Sequence, residues 1–203
     1  HHEKVVVIDD MVAFCGGMDL TLRRWDTREH RPTDSRRLDP NGRPYVPVHD
    51  VQLVVDGEAA EALAQRARER WQHAGGKPTK AVNGDVGDRW PTGVQPDFER
   101  VPLGIMRTLG ALDAGPEIRE VERATVHALG RAEKLVYIEN QYITAKSAAD
   151  ALLERMRARP ELEAVIVSSC KQRGWLEAET MGTGRQLFMA KFDEPGIRER
   201  IQF

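Results

Sequence analysis

The longest apolar run in the 203 residues is Met11 to Cys15, far short of the roughly 18 residues that span a bilayer, so no transmembrane helix is expected. Charge of one sign is equally scarce. Thirty Lys and Arg stand against 32 Asp and Glu, a formal charge of -2, which excludes a global basic field for nucleic acid or anionic lipid and makes any phosphate recognition local. Two cysteines, Cys15 and Cys170, without CxxC spacing, supply neither a disulfide framework nor a metal pattern, and both are expected as free thiols. No charged and then apolar leader precedes the first strand-like run. Residue 1 is His, and Ile201-Gln202-Phe203 reads as the start of another strand, so a fragment of something longer is expected.

What is present suits one or two globular domains, with 40% hydrophobic and 31% charged residues. Residues 4 to 9 form a β-branched run expected as a strand buried on both faces, Asp9-Asp10 supplies a turn, and Met11 to Cys15 returns as a hairpin closed by Gly16-Gly17. Thr27 to Pro47 reads as a long surface loop around a site. Val51 to Val55 is a strand. Gly57 to His73 is a helix with Ala62, Leu63, Ala67, Arg70 and Trp71 near helical spacing. Gly75 to Pro102, rich in Gly, Pro, Asp and Lys, reads as a linker, which puts a domain boundary near residue 100.

The second part repeats the theme. Leu103 to Thr108 reads as a strand, Glu117 to Arg131 as an amphipathic helix, Leu135 to Glu139 as a strand, Ala148 to Arg157 as a helix closed by Pro160, and Ala164 to Ser168 as a buried strand. The fold class is therefore α/β. Ligand groups in such folds sit at the carboxyl ends of parallel strands, which singles out Glu139, Asn140 and Gln141 and, beyond them, Ser168 and Ser169.

His2 and Lys4 are two apart at the start of a strand and so project from one face, able to aim two groups at one phosphate. A neutral imidazole can attack phosphorus while an ammonium neutralises the non-bridging oxygens, chemistry that requires no metal and no cofactor. Asp9, an odd seven residues from His2, faces the other way and is expected to brace the turn. Asp26 is the acid expected to orient the imidazole. The 23 arginines are expected mainly as a solvated surface, and Trp175 as a core residue. His49 reads either as a pocket residue or as a structural histidine ahead of a strand.

These residues resemble a known family. His2-x-Lys4 with Asp9 after four more residues, then Gly16-Gly17-Met18-Asp19-Leu20 and Arg24-Trp25-Asp26-Thr27, is similar to the first HKD motif of the phospholipase D superfamily. His49-Asp50-Val51, the helix ending in Arg70-Trp71, and Tyr137-Ile138-Glu139-Asn140-Gln141-Tyr142 resemble segments of phosphatidylcholine-type phospholipase D and its bacterial relatives. The resemblance implies an α/β/α sandwich of two pseudo-repeated lobes, each lending one HKD motif to a shared site. Both lobes would be incomplete here: residues 1–100 would be the remainder of the first, and 101–203 the start of the second without its motif.

It further implies a phosphohistidine intermediate on His2, with Lys4 gripping phosphate, Asp9 and Asp26 in the catalytic set, and Gly16, Gly17, Asp19, His49, Glu139, Asn140 and Gln141 around the substrate. Asp19 departs from members with Asn at this turn, and would be a poor phosphate ligand unless Lys4 or a backbone donor compensates. No second HxK occurs, since His30, His49, His73 and His127 all lack Lys two residues on.

The implied substrate is a phospholipid, with water or an alcohol as acceptor, at a peripheral membrane or cytoplasmic location, with no nucleic acid partner and no metal. The second motif would come from missing chain or a dimer partner. Cardiolipin synthase-type transfer, a nuclease, and a non-catalytic fragment or binding module are the alternatives.

Overall fold

The computed structural model describes residues 2–82, 87–111, 115–169 and 175–203, with the backbone alone over 175–181. Cys170 and the side chain of Trp175 lie outside the described residues. The chain is mixed helix and sheet, and it divides into two compact units, His1–Gly104 and Ile105–Phe203.

In the first unit, β1 (Val5–Ile8), β2 (Val12–Gly16) and β3 (Gln52–Asp56) form an antiparallel sheet in that order. Asp9 and Asp10 have φ of 51° and 58°, and the Met11 amide donates to the Ile8 carbonyl at 3.0 Å. Two left-handed residues in succession make the mirror-image turn whose twist matches a hairpin, and Asp tolerates that region better than most residues. β1 is an edge strand of half-buried and exposed residues, not the doubly buried strand expected from its apolar run, because it has one neighbour in the sheet.

Helix α1 (Gly57–His73) leaves β3 directly and packs on β1, β2 and β3. Its buried residues are Ala60 and Ala64 rather than the expected face, since small side chains let the helix approach the strands. Trp71 lies outward, donating from Nε1 to the Lys77 carbonyl at 2.9 Å and covering Gly76.

The second unit opens with β4 (Thr108–Leu109) and β5 (Ile118–Arg119), an antiparallel pair of two-residue strands. The expected strand over Leu103 to Thr108 is reduced to this remnant: Leu103 and Met106 are exposed and have no sheet to join. Helix α2 (Glu120–Leu129) begins three residues later than its periodicity suggested, because Ile118 and Arg119 are taken by β5.

β6 (Leu135–Glu139), α3 (Lys146–Ala158), β7 (Glu163–Val167), α4 (Trp175–Ala190) and β8 (Ile201–Gln202) follow, and the three strands are parallel in the order β6-β7-β8. Val136, Ala164, Ile166 and Ile201 meet Leu129, Leu152, Leu153, Met156, Phe188 and Phe192 in one core. β7 alternates rather than being buried throughout, and Leu135, Tyr137 and Val167 point to the exposed face.

Arg200, just ahead of β8, donates to the carbonyls of Met156, Arg159, Leu162 and Gly196, closing the carboxyl end of α3 onto the start of β7. Among the described residues no helix is long and apolar enough to cross a membrane.

Met156 is fully buried at the centre of this core. Met156→Ala is expected to destabilise the second unit by about 2–5 kcal/mol, read as a lower denaturation midpoint with unchanged slope in guanidinium titration.

Candidate functional site

The chemistry-bearing residues of the first unit gather where β1 begins and β2 ends. The Gly16 amide donates to the Lys4 carbonyl at 3.4 Å, and Gly16 stands opposite Gln52 across β2 and β3. A side chain at Gly16 would strike the Val51 carbonyl at 2.4 Å and the Gln52 backbone at 2.6 Å, so glycine is what lets these strands close. At Gly17 a Cβ would lie 2.2 Å from Asp50 Oδ1, and the Gly17 amide donates to the Val51 carbonyl at 3.0 Å. These two glycines shape the floor of the site.

On that floor the Lys4 ammonium contacts His2 Nε2, so the two side chains do share one face and one point in space. His2 is exposed and Lys4 largely covered. Lys4 also pairs with Asp19 Oδ1 at 3.1 Å, and Asp19 Oδ2 accepts from Arg24 Nη2 at 2.9 Å. Hydrogen bonds from Arg24 and then Lys4 hold the Asp19 carboxyl below its ordinary range. A small groove of about 270 Å³ adjoins, lined in part by Lys4, Val6, Met18, Asp19, Leu20 and Gln52.

Asp26 lies elsewhere than on His2. Its Oδ1 accepts from the Thr27 amide and Arg37 Nη1, each at 2.8 Å, and its Oδ2 accepts from the Val48 amide at 2.8 Å and stands 3.4 Å from His30 Nδ1. Among the described residues no hydrogen bond joins it to His2; both oxygens are engaged by the loop. Burial alone would raise its pKa, but the Val48 and Thr27 amides, Arg37 and His30 outweigh that and hold the carboxyl far below the carboxylate range.

Arg37 is itself 1% exposed, donating from Nε to the Tyr45 carbonyl and from Nη2 to the carbonyls of Arg31 and Pro32, all at 2.9 Å. It is the clearest exception to the expectation of a solvated arginine surface. The imidazole that Asp26 meets belongs to His30, whose ring lies edge-on to His49 with centroids 6.1 Å apart. His49 is exposed.

Asp9 sits in the turn and pairs with Arg89 at 3.0 Å, while Asp10 binds Arg68 and accepts from the Val82 amide at 2.9 Å. In the second unit, Glu139, Asn140 and Gln141 do lie at the carboxyl end of a parallel strand. There Asn140 Oδ1 accepts from the Tyr142 amide at 2.9 Å and Gln141 Nε2 donates to the Tyr142 hydroxyl at 3.0 Å. Both amides brace the turn leaving β6. Glu139 accepts from the Tyr137 hydroxyl at 3.3 Å. Among the described residues no cluster of three or more His, Cys, Asp or Glu is placed to hold a metal ion.

No family model matches the chain. It is 29% identical over 199 aligned residues to phospholipase D alpha 1 of Oryza sativa subsp. japonica, an alignment covering 73% of this chain and 24% of that protein. Its similarity is to plant phospholipase D alpha. Phospholipase D alpha 1 of Vigna unguiculata is 28% identical over 198 residues (72% and 24%), and phospholipase D alpha 2 of Arabidopsis thaliana 29% over 199 (73% and 25%). The chain spans about a quarter of the length of these relatives.

Three residues of the site were not assigned roles by the sequence reading. Arg24 reaches Asp19 across five residues of irregular chain, a pairing with no periodic signal. Arg37 is one of 23 arginines and nothing local marks it. Gln52 had a signal: a strand beginning there, opposite the glycine turn, puts its side chain on the Lys4 face by simple alternation.

Arg37→Ala leaves the buried Asp26 carboxylate without its cation, and limited proteolysis between residues 18 and 50 is expected to accelerate while the far-ultraviolet signal of sheet and helix is kept. A carboxyl depressed on folding stabilises fully above its unfolded pKa of about 3.9 and loses that contribution as pH falls through the folded value. Asp34, held at about 2 by Arg36, and Asp26, held lower still, therefore predict a loop that stays protected from hydrogen exchange near pH 4 and opens only in stronger acid.

Proposed function

We propose that this chain is part of a phospholipase D-type phosphodiesterase and carries one of its two HxK half-sites, within a two-lobed α/β/α sandwich. The observation that carries the reading is the contact between Lys4 and His2 Nε2 at the head of β1, beside an open groove. The similarity to plant phospholipase D alpha supports it from a separate direction. The substrate is a phospholipid phosphodiester and the acceptor water or an alcohol, so hydrolysis and headgroup transfer share one first step.

In that step the His2 Nε2 lone pair forms a bond to phosphorus, the P–O bond to the departing alcohol breaks, and that oxygen takes a proton from a second histidine. Lys4 moves from the imidazole to the phosphoryl oxygens, where negative charge develops. Water or an acceptor alcohol then returns its proton to the second histidine as its oxygen displaces His2. That second histidine comes from further chain or from a second copy in a symmetric dimer.

With Asp26 committed to Arg37 and the loop, its part in this reading is to hold the wall of the site. Asp50, packed against Gly17 and accepting from the Val51 amide at 2.8 Å, stands nearer the motif.

Labelling of the full-length protein with a phosphorus-labelled phospholipid, quenched by denaturant at alkaline pH where the phosphorus–nitrogen bond survives, is expected to trap label on the wild type and none on His2→Asn. Undiminished trapping in that variant rejects His2 as nucleophile. The 203 residues alone, with one HxK, are expected to show little or no turnover, and robust turnover by a demonstrated monomer would contradict the two-histidine scheme.

A further inference from the structure

Resting on that reading of the His2 and Lys4 face, we propose that Asp19 is an internal stand-in for the substrate's phosphate and that Arg24 is a second phosphate ligand, freed when the carboxylate yields its place. The two Asp19 oxygens face two cations from different segments: Lys4 at the head of β1, at 3.1 Å, and Arg24 in the irregular chain after β2, at 2.9 Å. One small anion thus bridges the ammonium and the guanidinium. A phosphodiester offers the same pattern, two equivalent oxygens sharing one negative charge, and the hydrogen-bonding geometry of guanidinium suits carboxylate and phosphate alike. Two cations that converge on a carboxylate are therefore already spaced for a phosphate.

Exchange is easier than coexistence. Lys4 and Arg24 with Asp19 carry one net positive charge, and a bound diester would sit within a few ångström of the carboxylate it repels. Asp19 is also the outermost of the three groups: its side chain is 41% exposed against 37% for Arg24 and 16% for Lys4. A rotation about its own side-chain bonds carries it into water, whereas the Lys4 side chain is largely covered.

Hydrogen bonds from Arg24 and then Lys4 hold the competitor's carboxyl below its ordinary range. The exchange also releases His2. In the resting structure the ammonium rests on the Nε2 atom that must attack, and an arriving phosphate gives Lys4 another partner.

The test is the affinity of the 203-residue chain for inorganic phosphate, followed by phosphorus NMR titration or calorimetry, for the wild type, Asp19→Asn, Arg24→Gln and Lys4→Gln. Circular dichroism confirms the fold of each, and Asp19→Ser stands in should the amide perturb it. Removing a like charge at about 4 Å in a water-exposed site is expected to tighten phosphate about fivefold in Asp19→Asn. Arg24→Gln is expected to weaken binding by a similar factor in both the wild-type and the Asp19→Asn background.

Unchanged or weaker binding in Asp19→Asn, or indifference to Arg24→Gln, overturns the inference. In that event a large loss in Lys4→Gln leaves the parent reading standing. Indifference to Lys4→Gln removes the parent reading and the inference together.

Discussion

A guanidinium with almost no access to water organises the first unit. Arg37 draws together the carbonyls of Arg31, Pro32 and Tyr45 and the carboxylate of Asp26, and Asp26 in turn collects the Thr27 and Val48 amides. The segment between β2 and β3 has no helix or sheet of its own to satisfy its backbone, so these groups do what a ladder would do elsewhere. Asp39 repeats the device on a smaller scale, accepting from the Asn41 and Arg43 amides and from Arg23. An irregular stretch of some thirty residues is thereby held against the sheet, and with it the backbone that positions Asp19 and Arg24.

The same accounting separates charges that build from charges that remain free for chemistry. Asp26 and Asp39 have nearly all their acceptor capacity directed inward, toward backbone amides and arginines. Among the described residues the Asp19 carboxylate is bonded to the side chains of Lys4 and Arg24, and it lies at the rim of a groove. A carboxylate fixed by backbone amides cannot move without unravelling its turn. One fixed by two flexible cations can be replaced by a competing anion. This difference ties Asp26 to the loop and leaves Asp19 held by side chains at the rim of the groove.

Elements whose signal is local were legible from the residues alone. Gly57–His73 and Leu135–Glu139 have the bounds their patterns indicate, and the Asp9-Asp10 turn follows from two residues that accept a left-handed backbone. His2 and Lys4 do come together, though in the residues just ahead of β1 rather than within the strand. What escaped depends on partners distant in the chain. Leu103 to Thr108 looks like a strand by composition, yet of these six residues Thr108 alone is in one, and Trp71 sits at helical spacing yet covers Gly76 instead of the core. Each miss is a local propensity overruled by a contact that spacing cannot reveal.

The hairpin turn has a bearing on the opposite end of β1. Alternation along a strand is a matter of parity: sliding β1 by a single residue against β2 would exchange the faces of Val5, Val6, Val7 and Ile8. Among the described residues β2 is the one neighbour of β1 in the sheet, so no second strand pins that register. The handedness of Asp9 and Asp10 sets how many residues the chain uses to reverse, and so sets the parity. Two acidic residues at one end of the hairpin thus set which residues meet at the other, where Val5 stands opposite Cys15.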